Sequence, residues 1–310
     1  MIGLARGQSK MSETPAVMRR RLKAALRQER EAAELTQKEA AAALDWSVSK
    51  IIRIEQGAVG ITPIDLRALL AVYKTTDEKR EAELVELARG SKKQSWNEYK
   101  DVYSQASLTL FGNEAAAKII YKYEPTFIPG ILQTEEYARA LLAGLGHSEE
   151  EIERMVDARL ERQELLDHDP RPQLEFILGE ATVSRAVGGR GVMLRQLDRL
   201  KYLAGRPDIS LQVLPFSAGA HPRMGDAFTI LQFADENLDD LLYLENAGGE
   251  STSREDPELI ASYLRDFLTL QAKASESGAF VSVIDQIAAT RLASPSILRA
   301  TKEGEPAPVS

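Results

Sequence analysis

Residues 36–57 read Thr36-Gln37-Lys38-Glu39-Ala40-Ala41-Ala42-Ala43-Leu44-Asp45-Trp46-Ser47-Val48-Ser49-Lys50-Ile51-Ile52-Arg53-Ile54-Glu55-Gln56-Gly57. Two short helices joined by a tight turn are predicted here. Thr36 with Glu39 three residues on forms a capping box for the first. Ser47 caps the second, and Gly57 is the residue type that closes a helix in the left-handed conformation. Ala40, Leu44, Ile51 and Ile54 fall where the two helices bury apolar groups against each other. Ser47, Ser49, Lys50 and Arg53 then lie on the outer side of the second helix, with Gln37 at the start of the first. A pair this compact is the geometry of a helix-turn-helix, whose second helix enters the major groove of DNA. Hydroxyl, ammonium and guanidinium groups on that face suit phosphates and base edges.

The flanks extend the pattern. Val17 to Ala33 is a basic amphipathic helix with Leu22, Ala25 and Leu26 on one side. Thr62-Pro63-Ile64-Asp65 is a further helix start, continued by Leu66, Leu69, Leu70 and Tyr73 at a helical period. Asp77 opens a fifth helix, to about Gly90, through Leu84, Leu87 and Ala88. The expected fold class is an all-α five-helix repressor-like domain followed by a mixed α+β domain with a small sheet covered by helices. The expected boundaries are a flexible tail over 1–15, a DNA-binding domain over 16–93, an α+β sensor or interaction domain over 94–292, and a tail over 293–310.

Charge follows this division. Residues 1–93 contain 18 Lys and Arg against 13 Asp and Glu, a net of +5, whereas the remainder carries a net of −13, giving −8 for the 310-residue chain. Positive charge is thus concentrated on the segment expected to meet nucleic acid. Arg19-Arg20-Arg21 with Lys23 is its densest cluster and suits phosphates or a minor groove. No apolar run reaches the length of a membrane span, and the first ten residues hold no signal-peptide core. With zero cysteines, disulfides, thiolate metal sites and cysteine nucleophiles are excluded. A cytoplasmic protein is expected, with Met1 or Met11 as its translation start.

Beyond Trp96 a helical region is predicted over about 95–122, leading into an extended segment at Tyr123-Glu124-Pro125-Thr126-Phe127-Ile128-Pro129-Gly130. Helices follow from Thr134, from Ser148, and over Gly191 to Ala204. Leu174–Leu178, Ile209–Leu214, Phe228–Phe233 and Leu241–Leu244 read as strands. Asp256–Ala274 and Phe280–Arg291 read as helices. Leu259, Ile260, Tyr263, Leu264 and Phe267 give the first of these an apolar face that suits either the core or a dimer contact. His147, His168 and His221 are the chain's three histidines. His168, between Asp167 and Asp169, precedes prolines that suggest a solvated loop. His221 shares the histidine of a phosphodiesterase His-x-Lys motif, but the lysine is arginine (Arg223) and no second copy follows. No metal, cofactor or enzymatic activity is therefore expected. Glu180 and His221, both at strand ends, are candidate lining residues for a ligand or partner pocket. Gly188-Gly189-Arg190-Gly191 lacks the spacing and trailing Lys-Ser/Thr of a phosphate loop and reads as a turn before a helix.

The Leu35-Thr36-Gln37…Ala40 start, the Ser49-to-Gly57 end and the turn between them resemble the repressor, or Xre, family. By position, the resemblance implies that Gln37 touches a phosphate and orients the first readout residue. It places Val48, Ser49 and Arg53 against bases, and Lys50 and Gln56 against the DNA backbone. Arg30 and Glu55 match that family's interhelical ion pair, which, if partly exposed, contributes roughly 0–1 kcal/mol. The remainder resembles the domain that follows such a motif in WhiJ-like, antitoxin-like actinobacterial regulators. The matching runs include Ile128-Pro129-Gly130-Ile131-Leu132-Gln133-Thr134-Glu135, Arg159…Arg162-Gln163, Leu178-Gly179-Glu180-Ala181 and Gln212-Val213-Leu214-Pro215-Phe216. The resemblance implies a homodimeric transcription regulator on a palindromic double-stranded operator, with a C-terminal domain that receives a signal from a small acidic partner protein or a ligand. The alternative it leaves open is an antitoxin-like protein that mainly neutralises such a partner and uses DNA binding for autoregulation.

Overall fold

The computed structural model describes residues 14–57, 59–91, 96–167, 171–235, 238–245 and 251–292. They fall into two compact units. The first comprises the described parts of Met1–Tyr121, Glu164–Gln173 and Phe228–Tyr263; the second, those of Lys122–Gln163, Leu174–Ala227 and Leu264–Ser310.

The amino-terminal helices are α1 (Pro15–Ala32), α2 (Gln37–Ala43), α3 (Val48–Glu55), α4 (Pro63–Val72) and α5 (Glu78–Gly90). Their ends are set by the local signals in the sequence. The Thr36 hydroxyl accepts from the Glu39 amide at 3.2 Å while the Glu39 carboxylate accepts from the Thr36 amide at 2.8 Å, closing the capping box. Ser47 caps α3 through the Lys50 amide at 3.2 Å, and Thr62 caps α4 through the Asp65 amide at 3.1 Å. Asp45 in the α2–α3 turn has φ 52°, a left-handed conformation that Asp tolerates better than most non-glycine residues, and Gly57 has φ 69°. Leu26, Ala40, Ile51, Leu66, Leu69 and Leu84 are fully buried in one core, with Leu44 and Trp46 packed at its margin. Thr14 and Pro15, expected in the tail, belong to α1: Thr14 accepts from the Val17 amide and Pro15 is the first helical residue.

A six-stranded mixed sheet follows, in the order β3-β2-β1-β4-β5-β6. The strands are β1 (Ala117–Glu124), β2 (Gln173–Gly179), β3 (Ile209–Leu214), β4 (Ala227–Phe233), β5 (Leu241–Glu245) and β6 (Ser251–Arg254). β2 and β3 pair in parallel from Leu174 opposite Ile209 to Gly179 opposite Leu214, and β5 pairs antiparallel with β6. The helices here are α6 (Gln105–Glu114), α7 (Glu135–Gly144), α8 (Glu149–Gln163), α9 (Glu180–Ser184), α10 (Gly189–Ala204), α11 (Pro257–Lys273) and α12 (Phe280–Ile287), the last continuing as a π turn over 288–292.

Two elements correct the sequence reading. Among the described residues, the expected helical region 95–122 is helical only at 97–99 and over α6, after which β1 begins. Ile119, Ile120, Tyr121 and Tyr123 are β-branched and aromatic, and Ile120 and Tyr123 are buried, so sheet packing decides this segment. β6, Ser-Thr-Ser-Arg, has no apolar signal and is defined by its pairing with β5. The α11 stripe is core: Ile260, Tyr263 and Phe267 are buried within the chain, so that face is not a free dimer contact. His168 lies outside the described residues, as do 1–13 and 293–310 of the expected tails.

The Pro129-to-Thr134 run is held by a buried polar network in the second unit. Gln196, fully buried, accepts from the Thr134 amide at 2.6 Å and donates to the Leu132 carbonyl at 2.9 Å. Gln163 donates to the carbonyls of Gly130 and Gln133, each at 2.9 Å, and Arg159 donates to the Gln133 side chain at 2.8 Å. Gln196→Leu would orphan the part-buried Thr134 amide and the buried Leu132 carbonyl. An unsatisfied buried group costs about 1–3 kcal/mol, and a loss of at least that size is expected in urea unfolding of the full chain. A change below about 0.5 kcal/mol, the range of ordinary surface substitutions, would refute the structural role of this network.

Candidate nucleic-acid interface

α3 carries its buried and exposed residues on opposite sides. Ile51, Ile54 and Glu55 face inward, whereas Ser47, Val48, Ser49, Arg53 and Gln56 are exposed. Ser49, Arg53 and Gln56 follow at intervals of four and three residues, one stripe on a helix. The Arg53 guanidinium makes no hydrogen bond or ion pair among the described residues, and Val48, at the start of the helix, is 39% exposed. The face is therefore a polar ridge with one uncommitted guanidinium.

The neighbouring groups are more constrained. Lys50 is half-buried, its ammonium 3.4 Å from the centre of the Trp46 ring and 3.5 Å from an Asp65 carboxylate oxygen. Ser47 spends an acceptor on the α3 cap. Gln37 is half-buried and donates to Glu55 Oε2 at 2.8 Å, leaving its second amide hydrogen available. Glu55 itself is buried. Its Oε1 accepts from Arg30 Nε and from the Tyr73 hydroxyl, both at 2.8 Å. Arg30 also donates to the Leu35 carbonyl at 2.8 Å. Burial, and then the Glu55 carboxylate, push the Tyr73 hydroxyl well above its ordinary pKa, so it stays a donor. The Arg30–Glu55 pair is thus present as expected, but inside a desolvated four-residue network rather than partly exposed.

The basic cluster of α1 is arranged differently from its sequence reading. Arg20 is buried, donating to Glu255 at 3.0 Å and to the Asp239 carbonyl, with its guanidinium 4.5 Å from the Phe233 ring centre. Arg21 pairs with Asp235, and Lys23 with Glu255. These cations are paired within their own unit, with acidic partners over 200 positions away in sequence, where local patterning gives no sign of them. Burial alone would raise the Glu255 carboxyl, but the Lys23 ammonium and the Arg20 guanidinium reverse this and hold it below its usual range. A depressed carboxyl stabilises the fold above the unfolded-state pKa of about 4.3 and loses that contribution as pH falls through the folded value. Acid unfolding below about pH 4.3 is accordingly expected to flatten in Glu255→Gln, with a loss of about 1–3 kcal/mol at neutral pH. An unchanged acid profile in the variant would exclude Glu255 as a source of that dependence.

Glu180 and His221 do not share a site in the way the sequence suggested. Glu180 lies at the start of α9, accepts from the Phe216 amide at 2.9 Å, and stands 3.6 Å from Arg291. It lines a groove of about 590 Å³ with Lys273, Ser275 and Gln286 in the second unit. His221 is not among the walls of that groove. Its Nδ1 donates to its neighbour, the Pro222 carbonyl, at 2.9 Å, and its Nε2 accepts from the Tyr123 hydroxyl at 3.4 Å, a tautomer set by these partners. Burial pushes the Tyr123 hydroxyl up to about 12, which keeps it protonated.

Among the described residues, no helix is long and apolar enough to cross a membrane. A family model described as a helix-turn-helix domain matches residues 21–82. A second, described as "Domain of unknown function (DUF5753)", matches residues 108–286, more than half of the chain. No curated protein and no solved structure matches. With a helix-turn-helix whose exposed ridge is Ser49, Arg53 and Gln56 placed ahead of that domain, the chain belongs to the DUF5753 family.

Proposed function

We propose that this chain is a sequence-specific transcription regulator in which α3 lies in the major groove. The observation that carries this reading is the exposed, uncommitted Arg53 on the ridge of a helix whose other face is locked in the core. An arginine so placed can bond guanine O6 and N7 together. Ser49 and Val48 flank it as further base-facing groups, Val48 suiting a thymine methyl. Gln37, Ser47, Lys50 and Gln56 set register on phosphates, Lys50 by leaving its position between Trp46 and Asp65.

Dimerisation on a palindromic operator, cytoplasmic location and the absence of catalysis complete the proposal. A DNA-tethered hydrolase is less well supported, since both ring nitrogens of His221 are engaged in hydrogen bonds. The groove at Glu180, with Lys273 and Arg291 on its walls, favours a second reading, in which the WhiJ-like, antitoxin-like resemblance holds and this domain captures a small acidic partner. Genomic DNA selection with the full-length protein tests the first reading. The expected product is a short inverted repeat with half-sites about 34 Å apart or a multiple of it. A folded protein that enriches no sequence would overturn the reading in favour of partner binding as the main task.

A further inference from the structure

Inside the first unit, a cavity of about 440 Å³ lies between α1, the end of α3, α6 and β6. Its size is within the 300–1,000 Å³ typical of small-molecule sites. Arg19, Arg20 and Lys23 supply three positive charges to its walls, and Glu255 a single negative one. Glu255 already serves both Arg20 and Lys23. The Arg19 guanidinium has one partner among the described residues, the Ser91 carbonyl at 2.8 Å, which carries no charge. Its remaining donors and two of the Lys23 ammonium hydrogens are therefore unassigned.

We infer that this cavity binds a small molecule carrying at least two negative charges, either a di- or tricarboxylate or a phosphate monoester, with Arg19 and Lys23 as its principal contacts. The inference rests on the regulator reading only for its consequence. Gln56 and Gly57, which end the recognition helix, form part of the same wall. A Cβ at Gly57 would stand 3.7 Å from Arg19 Cγ and 3.8 Å from Lys23 Cδ, so the stems of both cations pack over that helix end. A ligand that fixes their head groups restrains the end of α3 and thereby alters operator affinity. This identifies the signal of the proposed regulator as an anionic metabolite read beside the DNA-binding surface.

The test is calorimetric titration of the full chain, without DNA, with citrate, inorganic phosphate and a nucleoside monophosphate, at constant ionic strength and against acetate. At least one multivalent anion is expected to saturate one site with Kd below about 1 mM and at least about tenfold tighter than acetate. Citrate or the nucleotide as the tighter arm separates the carboxylate from the phosphate class. Arg19→Gln and Lys23→Gln are each expected to weaken it by about tenfold, while Lys201→Gln, in the second unit, leaves it unchanged. If Arg19→Gln does not fold, Lys23→Gln decides. No multivalent anion saturating more tightly than acetate, or both variants binding as tightly as the parent, overturns the inference. Because DNA is absent from this titration, its failure is separate from a failure to enrich an operator.

Discussion

Replacing Glu55 by alanine is expected to cost about 3–5 kcal/mol of stability, the range for removing one partner from a buried ion pair. The carboxylate is where four elements meet: Arg30 comes from α1, Gln37 from α2, Glu55 from α3, and Tyr73 from the end of α4. The alanine variant leaves a nearly buried guanidinium, a phenol and an amide each short of an acceptor. Glu55→Gln keeps one acceptor oxygen and gives up the charge, and a smaller loss of about 1–3 kcal/mol is expected. Urea unfolding of the full chain, followed through helical circular dichroism, measures both. A loss below about 1 kcal/mol for the alanine would place the pair with exposed ion pairs and contradict the network.

The second large effect is on recognition. Arg53→Ala is expected to cost about 1–3 kcal/mol on the selected operator, roughly five- to 150-fold in affinity, and to relax preference at one base position. Affinity for scrambled duplex should change far less, because the guanidinium is assigned to a base edge. Lys50→Ala should instead weaken operator and scrambled duplex alike and reduce the salt slope by about 1. Its pairing with Asp65 is solvent-accessible on both sides and long, and contributes only about 0–1 kcal/mol, so the fold should survive the change. Quantitative gel shifts on both duplexes at two salt concentrations separate these outcomes. Equal losses on both duplexes for Arg53→Ala would remove its base-reading role.

The helix-turn-helix was legible because its determinants are local. A cap three residues from its partner, a left-handed glycine and a helical period all lie within one short window, and Thr36, Ser47, Thr62 and Gly57 act as that window indicates. Where a contact crosses the sequence, the reading fell short. Arg30 and Glu55 do pair, but the weight of the pair depends on burial that Tyr73 and Gln37 complete. Arg20, Arg21 and Lys23 read as a phosphate-binding row because the acidic groups that engage them stand at 235, 239 and 255. Among the strands, β6 has only polar side chains, and β1 followed a helical stretch closely enough to be absorbed into it. The Pro129–Thr134 run was conspicuous as a motif, yet its role needed Gln163 and Gln196 in place around it. The cavity beside Gly57 has no sequence signal at all, since its walls come from elements spread from α1 to β6.

The most direct test of the account is methylation interference on the selected operator. Dimethyl sulfate marks guanine N7 in the major groove and adenine N3 in the minor groove, the acceptors that distinguish the two faces of the duplex. If α3 lies in the major groove with Arg53 on a guanine, N7 methylation at one guanine per half-site blocks binding of the parent, and Arg53→Ala loses sensitivity at that guanine alone. Interference confined to adenine N3, or an unchanged guanine pattern in the variant, would contradict it.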